Sequence, residues 1–161
     1  MATRAILTPY SAEMPASNFP QLLLSNRRPA LAFDAATPEA AYWTFIAPQG
    51  ITGPVVAICT YAMVSATSGT TEFEVSVEAI TDGDATDTDA TTSFDSVNTG
   101  SATVPGTAGY IDQISVTLTN ADSIAAGDLV RVQVARDADD GTNDTATGDL
   151  YLLAVEIRDA A

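Results

Sequence analysis

The chain has 161 residues, about one domain, enough to bury roughly two-thirds of its unfolded surface. Its 21 acidic residues face six basic ones, all arginine, for a formal charge of −15, with neither lysine nor histidine. That composition removes imidazole bases and metal ligands, lysine Schiff bases and phosphate clamps, and it disfavours nucleic-acid backbones, which attract clustered cations.

The N-terminus lacks an apolar signal-peptide core, and the longest apolar run is shorter than the ~20 residues that span a bilayer. A soluble protein made in the cytoplasm, with no membrane partner, is therefore expected. Residues 1–38 contain Pro9, Pro15, Pro20 and Pro29, with Pro38 at the boundary, and half of the arginines, Arg4, Arg27 and Arg28. Their apolar residues fall in short clusters, Phe19, Leu22, Leu23 and Leu24, then Leu31 and Phe33. No helix or strand period survives the prolines. The expectation is an extended arm, lying on a neighbouring subunit in preference to its own domain.

From residue 39 to 161 the pattern is that of a β domain. Ala41 to Ala47 is aromatic and β-branched, and Pro54 to Ser65 is a nearly continuous apolar run suited to a strand covered on both faces. Thr70 to Ile80 alternates, with Phe73, Val75, Val77 and Ala79 on one face and Glu72, Glu74, Ser76 and Glu78 on a wet one. Ser93 to Val97 is a weaker strand, and Tyr110 to Leu118 sets Ile114, Val116 and Leu118 on one side. Two near-duplicate phrases close the chain, each opening Gly-Asp-Leu (Gly127 to Leu129, Gly148 to Leu150) and ending Arg-Asp (Arg136-Asp137, Arg158-Asp159). With a polar loop between them they read as an antiparallel hairpin. Their Arg-Asp ends read as strand-terminal or interface ion pairs. The sum is an all-β antiparallel sandwich of about seven or eight strands, a jelly roll by preference, with an N-terminal arm.

Chemistry is sparse. Cys59 lies in the apolar run and reads as a buried thiol, with no base to activate it. The single tryptophan, Trp43, sits in an apolar strand, and nothing selects a catalytic pair from the 21 acids, so no enzyme is expected. No cofactor is required. Asp82, Asp84, Asp87 and Asp89 are the preferred place for a calcium ion, and Asp137, Asp139, Asp140 and Asp144 the second, although neither loop follows the EF-hand pattern. Asp and Thr are also simply good turn residues, and turn formation is the preferred reading of both loops.

The stretch Gly127-Asp128-Leu129, Arg136-Asp137, Asp144-Thr145, Gly148-Asp149-Leu150 and Val155-Glu156-Ile157 resembles the closing hairpin of small virion proteins of tailed bacteriophages. The turn Phe45 to Gly50 and the acidic loop Thr81 to Asp89 add to the likeness, which covers about residues 41–158. The resemblance implies a jelly-roll decoration or cement protein on the capsid surface, partnered by the major capsid protein and by itself, with a trimer favoured. Its contacts would be the arm residues Phe19, Leu22, Leu23, Leu24, Arg27, Arg28, Leu31 and Phe33. The alternative is a tail or fibre module that binds host glycans, with calcium in the acidic loops. A non-viral scaffold module is a third reading.

Overall fold

A computed structural model describes residues 1–51, 54–90 and 92–160. Among these residues the protein is all-β, two antiparallel sheets packed face to face in a jelly-roll-type sandwich. The strands are β1 (Thr3–Leu7), β2 (Gln21–Ser25), β3 (Arg28–Phe33), β4 (Glu39–Ile46), β5 (Val55–Met63), β6 (Thr70–Ile80), β7 (Asn98–Thr103), β8 (Ile111–Leu118), β9 (Leu129–Arg136) and β10 (Leu150–Asp159). A 3-10 turn at Pro9–Ser11 is the only helical element among the described residues, and no helix there is long and apolar enough to cross a membrane.

One sheet runs β2-β3-β10-β5-β8, with β1 added beside β10; the other runs β4-β9-β6-β7. Residues facing each other across an antiparallel pair share a face, so the register fixes the core. Phe33, Tyr61, Leu150, Leu152, Val155 and Ile157 point inward from the first sheet. Trp43, Phe73, Val75, Val77, Val130, Val132 and Val134 meet them from the second. Phe73 receives Phe33 and Tyr61 edge-on, at centroid distances of 6.2 and 6.0 Å. At the β7–β8 edge a Cβ on Gly100 would stand 2.9 Å from the Ser115 carbonyl oxygen and Val116 Cγ2, so glycine lets the sheets close there.

The closing hairpin expected from the duplicated phrase does not form. β9 pairs with β4 and β6, whereas β10 pairs with β1, β3 and β5 in the opposite sheet, so residues 137–149 cross between sheets. Alternating apolar residues give a strand its inward face but not its neighbour. The Arg136-Asp137 and Arg158-Asp159 pairs are likewise replaced. Arg136 reaches Asp144, with Nε and Nη2 donating at 2.9 and 2.8 Å, and Arg4 reaches Asp159 at 2.6 and 2.7 Å. Ser93 to Val97 is not a strand; the strand starts after it, at Asn98.

Residues 1–38 contribute β1, β2 and β3 to the six-stranded sheet instead of running as an irregular arm. Pro9 opens the 3-10 turn and Pro20 precedes β2. Pro29 falls where β3 pairs with β2 alone, since β10 pairs only with Leu31 to Phe33, and an edge tolerates its missing donor. The β2–β3 turn places Asn26 and Arg27 at φ of 45° and 69°, the left-handed pair of a two-residue hairpin. Trp43 Nε1 donates to the Thr8 carbonyl at 2.9 Å, tying the segment to the second sheet.

Candidate functional site

Alternation along the four-stranded sheet puts a second set of side chains on its outer face. Across β4, β9 and β6 the register gives the rows Ala40, Ala135, Glu74; then Tyr42, Gln133, Ser76; then Thr44, Arg131, Glu78; then Ile46, Leu129, Ile80. Tyr42 is thus the aromatic side chain between the inward-facing Ala41 and Trp43. The Arg131 guanidinium lies 4.8 Å from the Tyr42 ring centre and 5.9 Å from that of Phe94, and the two rings are 5.9 Å apart. This stack fixes the orientation of Tyr42.

Two segments wall the face. Glu13 bridges the free edge of β4 by exchanging backbone hydrogen bonds with Tyr42 at 2.7 and 2.9 Å, and the Asn18 carbonyl accepts from the Ala40 N–H. Across the sheet, the Asp95 N–H donates to the Val77 carbonyl, while Ser93 donates through both N–H and Oγ to the Glu78 carboxylate. Two adjoining hollows result. One, about 290 Å³, is lined by Ser17, Asn18, Glu39, Tyr42, Glu74 and Gln133 among others. The other, about 200 Å³, is lined by Glu13, Thr44, Glu78, Thr88 and Arg131 together with Ile80 and Leu129. Glu13 approaches Arg131 to 3.6 Å, and burial raises the Glu39 carboxyl above the usual carboxylate range. The groove therefore combines an aromatic side chain with carboxylates, an amide and hydroxyls.

Two larger hollows lie elsewhere among the described residues: one of about 450 Å³ beside the β2–β3 turn, lined by Ala62, Met63, Val64, Ile111 and Leu153 with Ser25, Arg28 and Tyr151, and one of about 510 Å³ lined by Asp95, Thr119 and Ser123 among apolar side chains. Each presents fewer polar side chains to a ligand than the two hollows on the four-stranded face.

The residues singled out in the sequence scatter. Leu31 and Phe33 are fully buried in this domain's own core and face no partner. Phe19, Leu22 and Leu24 are exposed along the β2 edge, Leu23 is half-buried, and Arg27 and Arg28 stand exposed at the hairpin tip. Asp82, Asp84, Asp87 and Asp89 do not gather into a cation-sized group. The Asp84 carboxylate instead accepts from Thr81 N–H and the Asp87 carboxylate from Asp89 N–H, both turn-forming bonds. Of the second loop, Asp144 is taken by Arg136, while Asp137 and Asp140 meet Glu72, which the sequence had placed on a wet face. Burial, then a hydrogen bond with Asp139, pushes the Asp137 carboxyl up to about 6. Cys59 is fully buried, which pushes its thiol up to about 12. Tyr42, Gln133, Arg131 and Phe94 were not singled out. Period-two alternation around Trp43 was the signal that exposes Tyr42.

No family profile and no curated protein matches the sequence. Among solved structures, the fold is similar to CsCBM6-3 from Clostridium stercorarium, determined in complex with cellobiose. The TM-score is 0.53 at 12% identity, over 99% of this chain and 98% of that one. It is also similar to the CBM22-1-GH10 modules of endo-1,4-beta-D-xylanase 10B from Clostridium thermocellum, complexed with xylohexaose. There the TM-score is 0.50 at 14% identity, over 99% of this chain and 28% of that one. Such identities establish a shared sandwich fold.

These findings correct the virion reading. The matching sandwiches are carbohydrate-binding modules rather than phage capsid proteins, and the supposed capsid clamp is three strands of the domain's own sheet. The cement role, the capsid-protein partner, the capsid trimer and the capsid-surface location fall with it.

Proposed function

We propose that the chain is a non-catalytic carbohydrate-binding module whose outer four-stranded face binds a neutral oligosaccharide. The observation that carries the reading is Tyr42, held by Arg131 and Phe94 between two hollows lined with hydrogen-bonding side chains. An aromatic ring supplies an apolar platform for the C–H face of a pyranose, and the surrounding amide, hydroxyl and carboxylate groups match its hydroxyls. With no histidine or lysine in the chain and its thiol buried, the face offers binding chemistry rather than a nucleophile. Two sandwiches of similar fold were solved with cellobiose and xylohexaose, which supports the ligand class by analogy.

Charge narrows the class. Glu13, Glu39, Glu74 and Glu78 line the two hollows against the single Arg131, so uronates and sialic acids are repelled. A glycan array probed with the wild type and Tyr42→Ala tests this. Neutral glucans or xylans should bind, acidic glycans should not, and Tyr42→Ala should lose at least about tenfold in affinity, a change of ~1.4 kcal/mol. Neutral-glycan binding that survives Tyr42→Ala places the site elsewhere.

A further inference from the structure

We propose that the β2 edge pairs with the same edge of a second copy of this chain, joining two six-stranded sheets in a closed twofold dimer. Among the described residues β2 is bonded on one side only, to β3. The two-residue turn makes Ser25 and Arg28 a hydrogen-bonded pair, and antiparallel pairs alternate, so Leu23 and Gln21 bond to β3 as well. Leu22 and Leu24 are then the residues whose backbone N–H and C=O groups point away from the sheet. Pro29, opposite Leu24, fits that assignment because it has no N–H to give.

Sheet edges are ordinarily protected by a charge, a proline, a bulge or a covering segment. The β4 edge is covered by the Glu13 bridge, and β7 is a polar strand of Asn, Thr, Gly, Ser and Ala. β2 has no such protection. It reads Gln-Leu-Leu-Leu-Ser in unbroken register with β3, and Leu22 and Leu24 are 49% and 60% exposed. A regular, uncharged strand with exposed leucines is a template for another strand.

The two ends of the edge select a second copy as the occupant. Arg27 and Arg28, at the Ser25 end, have no ion pair among the described residues, whereas Arg4, Arg131, Arg136 and Arg158 each have one. At the Gln21 end, Asp34, Glu39 and Asp149 line one hollow with Gln21 and Leu23, and they too lack ion pairs there. Arg28 stands opposite Ser25, in step with Leu23 and Gln21, so both ends share the outer face of the sheet. Antiparallel pairing about Leu23 sets Ser25 beside the partner's Gln21. The arginine end of each copy thereby meets the acidic end of the other, about two strand spacings of ~4.8 Å away. Leu22 meets the partner's Leu24 on one face, and Leu23 meets the partner's Leu23 on the other. With a formal charge of −15, most other faces of two copies repel; this edge brings opposite charges together. The contact is isologous, so it closes at two copies, unlike the threefold contact of a capsid site. It lies on the sheet that does not carry the glycan groove, and it stands or falls separately from the glycan reading.

Sedimentation equilibrium of the full chain between about 1 and about 500 µM tests this, together with amide hydrogen exchange followed by NMR at low and high concentration. A monomer–dimer equilibrium is expected, with a dissociation constant of roughly 10⁻⁶ to 10⁻⁴ M, the weak range of a small interface. The Leu22 and Leu24 amides should exchange several-fold more slowly at high concentration, while the Leu23 amide, already bonded to β3, should not change. Leu24→Lys should weaken dimerisation at least tenfold, and Leu22→Lys should do so if Leu24→Lys folds poorly. Arg27→Glu combined with Arg28→Glu, which leaves the leucines in place, should also weaken it at least tenfold. A monomer at every concentration overturns the proposal and leaves the edge to a strand of another protein. A trimer or open-ended assembly, a dimer undiminished in the folded variants, or a dimer whose Leu22 and Leu24 amides stay unprotected overturns it as well.

Discussion

Replacing Arg136 with methionine should destabilise the protein more than any surface change. The guanidinium is fully buried and paired with an Asp144 side chain that is 1% exposed. Its loss leaves that carboxylate with only the Thr71 hydroxyl and the Glu72 N–H as donors, and orphans the bonds to three backbone carbonyls. Breaking a buried pair from one side costs roughly 3–5 kcal/mol, because an uncompensated charge remains. Against a total stability of about 5–15 kcal/mol that is a large fraction. For a domain of this length it corresponds to a melting temperature lower by roughly 6–20 °C. Urea unfolding reads the value directly. Combining Arg136→Met with Asp144→Leu should recover part of the loss, giving a clear coupling energy in the double-mutant cycle. A single-variant cost below about 1 kcal/mol would falsify the claim that this pair anchors the crossover.

Three further expectations follow from packing and charge. Gly100→Ala should cost roughly 1–3 kcal/mol by overpacking, since the new methyl meets the Ser115 carbonyl and Val116 at 2.9 Å; an unchanged urea midpoint would show that the β7–β8 edge can spread. The Cys59 thiol should resist alkylation in the folded protein at pH 8 and react at the rate of unfolding, whereas fast native labelling would contradict its burial. Asp159 is held below the usual carboxylate range first by its hydrogen bond from Arg4, so its folded value lies below the unfolded one. Its stabilisation is then present above about pH 4 and lost as pH falls through the folded value. Asp159→Asn should destabilise at pH 7 and match the wild type at pH 2. A difference that persists at pH 2 would assign the effect to packing.

Much of the fold was legible because period-two patterning reports burial. Phe73, Val75 and Val77 alternate cleanly along β6, and the continuous run around Cys59 marked a strand covered on both faces. The first three strands were obscured by prolines that stand between strands or at an edge, and by a left-handed turn built on Asn26 and Arg27 where glycine is the usual signal. The duplicated closing phrase misled because sheet partnership is a long-range property: Val132 meets Trp43 and Val77, while Ile157 meets Ala57 and Ala5. The binding face was hidden for the same reason. Tyr42, Gln133 and Ser76 come from three strands far apart in sequence, and Phe94 comes from a loop. Nothing local marked Glu72 as different from Glu74; only the crossover folding back over it makes it buried.

The most direct measurement is an NMR titration of isotope-labelled protein with soluble neutral cello- and xylo-oligosaccharides. Shifts concentrated at Tyr42, Gln133, Ser76 and Glu74, and abolished by Tyr42→Ala while the remaining spectrum is preserved, are the predicted result. Shifts confined to the hollow beside Arg28 and Tyr151, or none with any neutral oligosaccharide, would contradict the account.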